Sequence, residues 1–321
     1  MQNINTVKNA IPQVAVKGLK WEKVKKKILR SKFLYLMIFP SFLYLIIFHY
    51  VPIYGAQIAF RDFSPFVGVL KSSWVGFQYF SEFFSSVYFW RLIRNTLVLS
   101  CSSIIFEFPA PILLALMINE VRNNKFKKSI QTIVYLPHFI SIVVISGLVI
   151  SMLSPTTGIV NEVIKALGGN SIAFMSEPKW FPAIYVGSGI WQSTGWGSII
   201  YLAAMTGIDP TMYESAVIDG ASRYKQIIYI TIPTILPTIV IMLIMRIGGV
   251  FNVGFEKVML LYNPLTYETA DVISTYVYRR GLQGMEYSFA SAVGLFNSVL
   301  NLIMIVSFNG ICRKVTETSL W

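Results

Sequence analysis

Charged side chains are scarce in this sequence. Aspartate, glutamate, lysine and arginine make up only 13% of the 321 residues, while 55% are hydrophobic and 15% are aromatic. Soluble domains carry roughly 25% charged residues, so the low charge excludes an ordinary soluble domain. The formal net charge of +12 does not indicate binding to nucleic acid, because the basic residues cluster at the ends of apolar runs, as in membrane proteins.

Residues that usually carry catalysis, metal binding or phosphate binding are also few. The two cysteines, Cys101 and Cys312, lie far apart beside apolar runs, which argues against a structural disulfide or a metal site. His49 and His138 are the only two histidines. The sequence has no Gly-Lys dipeptide and therefore no phosphate-binding P-loop. We expect neither an enzymatic activity nor a cofactor on this chain.

Long apolar runs dominate what is present. A helix needs about 20 apolar residues to cross a bilayer, and runs of this order cover 33–51, 92–118, 130–153, 181–205, 234–253 and 288–311. The sequence predicts an all-α polytopic membrane protein with six transmembrane helices and with both termini on one side. No small-residue cleavage site follows the first run, which indicates a retained anchor and not a secretory signal.

The basic residues predict the orientation of these spans. Residues 18–32 are rich in lysine with apolar residues at helical spacing, which predicts an amphipathic interfacial helix attracted to anionic lipid. Most of the 27 lysines and arginines fall in the N-terminal region, in the connections 119–129 and 206–233, and after the last run. Because basic residues stay on the cytoplasmic side, we expect both termini and these connections to be cytoplasmic.

A polar segment from Tyr213 to Pro237 separates the fourth and fifth apolar runs. Residues 213–219 predict a short helix, which Gly220 can end in the left-handed conformation. A second helix is predicted to follow and to stop at Pro233. A compact polar segment of this kind at a membrane surface suits docking to a partner.

This segment resembles the cytoplasmic loop of permease subunits in binding-protein-dependent ABC importers. The family signature is Glu-Ala-Ala, Asp-Gly-Ala three residues later, and then Ile-x-Leu-Pro-x-x-x-Pro. Eight positions agree with it at fixed spacing: Glu214, Ala216, Asp219, Gly220, Ala221, Ile230, Pro233 and Pro237. Ser215 and Ile232 depart from it by small changes in volume. The resemblance implies coupling to an ATPase through Tyr213, Glu214, Ser215, Ala216, Asp219, Gly220, Ala221, Arg223, Pro233 and Pro237.

The resemblance covers about residue 89 to the C-terminus and starts at the string FWRLIRNTLVLS. It implies a type I ABC importer-like fold, with a five-helix transmembrane core over 89–321. Before it lie a cytoplasmic N-terminal segment (1–32) and the first transmembrane helix with an external aromatic loop (33–88). The expected location is the bacterial cytoplasmic membrane. The expected partners are a similar but different second permease chain, two ATP-binding-cassette subunits that carry ATP and magnesium, and an external solute-binding protein.

The last outer connection carries a second, weaker resemblance. The string NPLTYETADVISTYVYRRGL and the terminal SLW resemble permeases that import fragments of complex polysaccharides, which implies an oligosaccharide cargo. Residues 266–280 predict one helix that Gly281 caps. A helix with such clear boundaries is expected to be more than a spacer.

One arginine lies at membrane depth, where a charge costs about 2.5–3.5 kcal/mol on insertion scales. Arg246 is expected either to face a water-filled route and bind a sugar or its carboxylate, or to bond to backbone carbonyls or to Glu107. Asn252 follows it further outward. These two residues are candidates for the substrate pathway.

The fourth apolar run adds aromatic and amide side chains. Trp191, Gln192 and Trp196 suit the apolar faces and hydroxyl groups of sugar rings, and they complete the pathway candidates. Helix packing through the neighbouring glycines is the alternative interpretation.

An ion-coupled secondary transporter of a polar solute is the alternative function. It would use Glu107, His138 and Arg246 as an ion relay and would show internal repeats, which are not apparent. The preferred function is the permease subunit of an ABC importer for oligosaccharides. A uronate-containing, acidic cargo is indicated only by the single intramembrane arginine.

Overall fold

The computed structural model describes residue 27 and residues 30–316 and 319–320. Most of the amphipathic helix predicted over 18–32, and Trp321 of the terminal SLW, lie outside these residues. The chain divides into two compact units, Met1–Gln57 and Ile58–Trp321.

The described part of the first unit is a long helix. Helix α1, Lys32–Leu45, continues through a π-helical turn at Ile46–Tyr50 and the short segment Val51–Ile53 into a 3-10 turn, Tyr54–Phe60. None of the residues in its most apolar stretch is buried. A helix that is apolar and exposed all round fits a lipid-facing span, as predicted for residues 33–51.

The second unit is mostly helical. It begins with a short antiparallel pair, β1 (Arg61–Asp62) and β2 (Ser73–Trp74), in which Arg61 is opposite Trp74. The helices that follow are α2 (Gln78–Ser85), α3 (Phe89–Ser102), α4 (Pro109–Asn119), α5 (Asn124–Tyr135), α6 (Ile142–Met152), α7 (Ile159–Ala166), α8 (Phe181–Thr206), α9 (Pro210–Ile218), α10 (Arg223–Gln226), α11 (Ile232–Gly248), α12 (Phe255–Leu261), α13 (Tyr267–Ala270), α14 (Ile273–Tyr278) and α15 (Tyr287–Thr316).

Four of the described helices are long and apolar enough to cross a membrane. They are Lys32–Phe60, Phe89–Asn119, Arg223–Gly248 and Tyr287–Lys314, and the bent pair α5 and α6 makes a fifth if it counts as one span. Helix α8 has 26 residues, which is sufficient length, but polar and glycine residues between Ile190 and Ser198 lower its hydropathy. The predicted all-α membrane fold is confirmed, and the count of six spans stays a prediction.

The third apolar run differs from a single straight span. The chain bends by 97° between Asn124–Phe139 and Ile142–Met152. Pro137 lies in a 3-10 turn at the bend, and proline cannot continue the helical hydrogen-bond ladder. Ser141 then caps α6 by accepting a hydrogen bond from the Val144 amide at 3.4 Å. The proline and the capping serine explain the break.

Pro233 lies inside a continuous helix, which corrects the prediction that it closes a short helix. One helix runs from Arg223 to Gly248, with a π-helical turn at Ile227–Thr231 that ends two residues before Pro233. Turns of the same kind precede Pro109 and Pro52. A π-helical turn moves the carbonyl with which the proline ring would clash, so the helix continues past the proline.

The predicted single helix over 266–280 is broken. Helix α13 ends at Ala270, the next residue, Asp271, is extended (φ −73°, ψ 118°), and α14 starts at Ile273. Gly281 lies inside a π-helical turn, Arg279–Gln283, and is not a C-cap. The break places the Asp271 side chain fully inside the protein, where arginines bind it.

Helix α8 packs at the centre of the second unit, against α4, α5 and α11. Its contact with α5 depends on a glycine: a β-carbon on Gly195 would come within 1.8 Å of the Val134 carbonyl oxygen. Gly195 therefore allows the backbones of α8 and α5 to approach closely.

Candidate functional site

The predicted coupling segment is a capped, exposed helix pair. Asp209 starts α9 by accepting a hydrogen bond from the Thr211 amide at 2.9 Å, which lowers the pKa of the Asp209 carboxyl. Gly220 ends it with φ +72°, as predicted. Ser222 then caps the next helix through the Lys225 amide at 3.4 Å. Local hydrogen bonds therefore determine the shape of this segment.

The predicted coupling residues lie together on this segment. Tyr213, Ala216 and Ala221 are half-buried, whereas the exposed members are Glu214, Ser215, Asp219, Gly220, Arg223, Pro233 and Pro237. Tyr213 anchors the segment through its hydroxyl group, which lies 2.9 Å from Thr231 Oγ1. Two apolar neighbours, Val217 and Ile218, are 60% and 86% exposed. Exposed apolar side chains in a polar loop are typical of a docking surface, so the coupling role remains a prediction supported by this exposure.

Three of the five pathway candidates line one cavity. We call it the central cavity; it has a volume of about 460 Å³ and lies among α3, α8, α11 and α12. Gln192, Arg246 and Asn252 line it, together with Glu107 and Lys257. Candidates chosen from two distant segments of the sequence therefore meet at one site.

The two tryptophan candidates lie elsewhere. Trp191 borders a separate, apolar cavity of about 580 Å³ beside Phe174. Trp196 stacks on His138, with ring centres 4.7 Å apart and planes 1° apart, and lines a neighbouring pocket that shares Arg246 with the central cavity. Trp191 and Gln192 point to different sides of α8, because successive residues of a helix point about 100° apart, and the pathway role of both tryptophans stays a prediction.

Arg246 forms an ion pair inside the central cavity. Its Nη2 donates to Glu107 Oε2 at 2.6 Å, and the Glu107 side chain is 11% exposed whereas that of Arg246 is 47% exposed. Gly189 makes room for the carboxylate, since a β-carbon there would lie 2.2 Å from Glu107 Oε1. The bond of Arg246 to Glu107 is therefore present. Because the arginine also lines the central cavity, binding of a sugar by Arg246 stays a prediction.

A second cation, Lys257, was missed by sequence reasoning. It is 8% exposed, its Nζ donates to the Tyr185 carbonyl oxygen at 2.6 Å and lies 4.5 Å from the centre of the Tyr185 ring. Lys257 lies after the end of the fifth predicted span. Burial lowers the pKa of Lys257 to about 8, so the amine is mostly protonated at pH 7. Nothing in the sequence distinguishes it from an ordinary loop lysine.

A non-helical stretch, residues 249–254, brings amides to the central cavity. Ser100 Oγ donates to the Val250 carbonyl oxygen, and Asn301 Oδ1 accepts from the Phe251 amide at 3.0 Å. The side-chain oxygen of Asn252, Oδ1, accepts a hydrogen bond from Asn297 Nδ2 at 3.0 Å. The side-chain nitrogen of Asn252, Nδ2, can therefore donate to a ligand. Irregular backbone at membrane depth is tolerated where it lines a cavity.

The central cavity is equipped to bind a polar solute. It carries two cationic groups against one carboxylate, with amide and hydroxyl side chains around them. Within the described residues no three histidine, cysteine or carboxylate side chains form a group that could hold a metal ion.

Residues 108–317 match the family described as the binding-protein-dependent transport system inner membrane component. The chain belongs to this family. The match extends over more than half of its length and includes the coupling segment and most of the residues that line the central cavity. Family membership confirms that this chain is the integral membrane permease of a binding-protein-dependent ABC importer and not its ATPase.

Similar proteins extend the match to nearly the whole chain. Protein LplB of Bacillus subtilis (strain 168) is 43% identical over 321 residues, with 100% of each chain covered. The polygalacturonan/rhamnogalacturonan transport system permease protein YteP of the same organism is 42% identical over 312 residues, 97% of each chain. The crystal structure of a bacterial ABC transporter involved in the import of the acidic polysaccharide alginate contains a chain that is 49% identical, with a TM-score of 0.85 over 92% of this chain and 99% of that chain.

A further crystal structure of a bacterial alginate ABC transporter, in complex with an alginate pentasaccharide-bound periplasmic protein, gives a TM-score of 0.85 at 48% identity, with 92% of this chain and 99% of that chain covered. These similarities confirm the predicted type I importer-like fold.

Proposed function

We propose that this protein is one of two permease chains of an ABC importer that moves acidic, uronate-containing oligosaccharides into the cell. The observation that carries the acidic cargo is the excess of positive charge in the central cavity, where Arg246 and Lys257 face a single carboxylate, Glu107. The cargo of two similar proteins, polygalacturonan or rhamnogalacturonan in one and alginate in the other, supports this choice.

The charge in the central cavity favours an anion on electrostatic grounds. A buried cation without a counterion is unfavourable, because charges interact strongly where water is largely excluded. A uronate carboxylate would complement Lys257 and the exposed side of Arg246. Gln192 and the free amide nitrogen of Asn252 can donate hydrogen bonds to sugar oxygens. Neutral oligosaccharides would leave the positive charge uncompensated.

The proposed assembly has further chains. A similar second permease would complete the translocation route, and an external solute-binding protein would deliver the oligosaccharide. Two ATP-binding-cassette subunits with ATP and magnesium would dock at residues 213–237, where Val217 and Ile218 are exposed. Both termini are then cytoplasmic, as the distribution of lysine and arginine indicates.

The test is uptake into liposomes that contain the complete transporter with its binding protein. Tetragalacturonate, tetramannuronate and the methyl esters of both serve as cargo, since esterification removes the charge and retains the chain. We expect uptake that requires ATP and prefers the acids. Uptake driven by an ion gradient without ATP would support the secondary transporter instead, and equal uptake of acids and esters would contradict the acidic cargo.

A further inference from the structure

A second polar concavity shares no lining residue with the central cavity and has a different composition. We call it the arginine-tyrosine pocket; its volume is about 440 Å³, and its lining consists of Tyr88, Arg91, Tyr267, Tyr276, Arg279 and Arg280. These residues belong to the end of the connection before α3, the first turn of α3, and the segment 254–287. Both connections are predicted to lie outside the cell.

A buried carboxylate holds two of the arginines in place. Asp271 is 0% exposed and accepts from Arg91 Nη2 at 3.1 Å and from Arg279 at 2.9 and 2.7 Å. Thr275 adds a hydrogen bond of 2.8 Å to the same carboxylate. One carboxylate against two guanidinium groups leaves one positive charge at the pocket.

Tyrosine rings surround these cations. The Arg279 guanidinium carbon lies 4.7 Å from the centre of the Tyr267 ring, and that of Arg91 lies 4.9 Å from the centre of the Tyr88 ring. Aromatic faces suit the apolar C–H faces of a sugar, and guanidinium groups bind carboxylates through paired hydrogen bonds. Ring faces and guanidinium groups together match one uronate residue.

The third arginine is compensated already. Arg280 donates to Glu82 Oε1 at 2.9 Å and pairs with Glu286. With two carboxylates against one guanidinium, this neighbouring group carries a net charge of −1. Glu82 and Glu286 are not among the residues that line the pocket, so the positive charge that faces the pocket is that of Arg91 and Arg279.

We propose that the arginine-tyrosine pocket binds a single uronate residue of the oligosaccharide as the chain passes from the binding protein to the central cavity. The proposal rests on the proposed function. An acidic side chain of the binding protein is the rival occupant. The sugar is favoured because the site is concave and aromatic, with a volume in the range of about 300–1,000 Å³ that is usual for small-molecule sites.

The experiment compares two pocket variants with a matched control in the complete transporter. Arg91→Gln removes a cation, whereas Tyr267→Leu removes a ring and leaves Asp271 with both of its arginines. Arg94→Gln is the control, because Arg94 lies on the same helix, bonds to the Glu268 carbonyl oxygen at 3.0 Å and is not among the residues that line the pocket. Size-exclusion chromatography verifies that each variant assembles.

Uptake of the tetra-uronates and their methyl esters is measured at saturating binding protein, and again over a series of binding-protein concentrations. We expect Arg91→Gln to raise the KM for the acids about tenfold, because the variant loses one charged hydrogen bond to the uronate. The KM for the esters should change little. Tyr267→Leu should raise the KM for both, and Arg94→Gln should change neither.

The results separate the possible failures. If wild-type transporter does not prefer the acids, the proposed function fails and the pocket proposal fails with it. If wild-type transporter prefers the acids and Arg91→Gln leaves this preference unchanged, the pocket proposal alone is wrong. If Arg91→Gln instead raises the binding-protein concentration needed for half-maximal uptake, equally for acids and esters, the pocket docks the protein and the proposal is also wrong.

Discussion

The coupling segment, residues 213–237 with its capping residue Asp209, and the outer segment, residues 254–287, are stabilised in different ways. Helix α9 buries none of its residues, and side chains two or three positions away cap the helices of the coupling segment. The outer segment is organised around the fully buried Asp271, whose partner Arg91 is 180 positions away in the sequence. Local geometry is visible in a sequence, whereas a buried polar network that joins distant segments is not.

The different stabilisation of the coupling segment and the outer segment suits their different proposed functions. A docking surface must be exposed and must keep its conformation when a partner binds and moves. Helix caps formed by neighbouring residues stabilise such a conformation. A binding pocket needs fixed cations, and a buried carboxylate fixes them through hydrogen bonds that water cannot replace. The two segments should therefore respond differently to substitution.

The largest effect is expected at the outer segment. Asp271→Leu removes the carboxylate from Arg91 and Arg279, whose side chains are 31% and 24% exposed. Removing one partner of a buried ion pair costs about 3–5 kcal/mol, so the thermal unfolding temperature in detergent should fall sharply. Glu268→Leu, an exposed carboxylate in the same segment, is the control. An unchanged Tm for Asp271→Leu would show that the network contributes nothing to stability.

An intermediate effect is expected at the turn of the coupling segment. Gly220 has φ +72°, and a β-carbon added to it would meet no atom within 4 Å. Any effect of Gly220→Val must therefore come from the backbone conformation, at about 1–2 kcal/mol. We expect binding-protein-stimulated ATPase activity to fall several-fold. Gly220→Asn should be tolerated, because asparagine adopts this conformation readily. Equal ATPase activities of Gly220→Val and Gly220→Asn would contradict the claim that coupling depends on the left-handed conformation of Gly220.

The smallest effect is expected at the cap of α9. The pKa of Asp209 is lowered by the hydrogen bonds from Thr211, so the cap stabilises the folded state fully above the ordinary aspartate pKa of about 3.9. This contribution disappears as the pH falls through the lower folded-state pKa. Asp209→Ala should lower Tm slightly at pH 7, with the difference from wild type vanishing in acid. A difference that persists in acid would exclude the charged cap as its cause.

Much of the candidate site could be predicted, and the misses have physical reasons. Gln192, Arg246 and Asn252 were found because polar groups inside apolar runs are costly and stand out. Lys257 was missed because it lies just beyond a run, where lysine is common. Asp271 was predicted to lie inside a helix, because the sequence does not show that Arg91, from a distant segment, binds its carboxylate. Pro233 was predicted to end a helix, but the π-helical turn before it depends on packing as well as on local sequence.

Lys257 tests most directly whether the positive charge of the central cavity selects an acidic cargo. The measurement is the ratio of uptake of tetra-uronates to that of their methyl esters for Lys257→Met, with Lys71→Met as a control at an exposed lysine. Loss of one charge-assisted hydrogen bond predicts a fall of about tenfold in this ratio, with no change in the control. A ratio equal to that of the wild type would contradict the account.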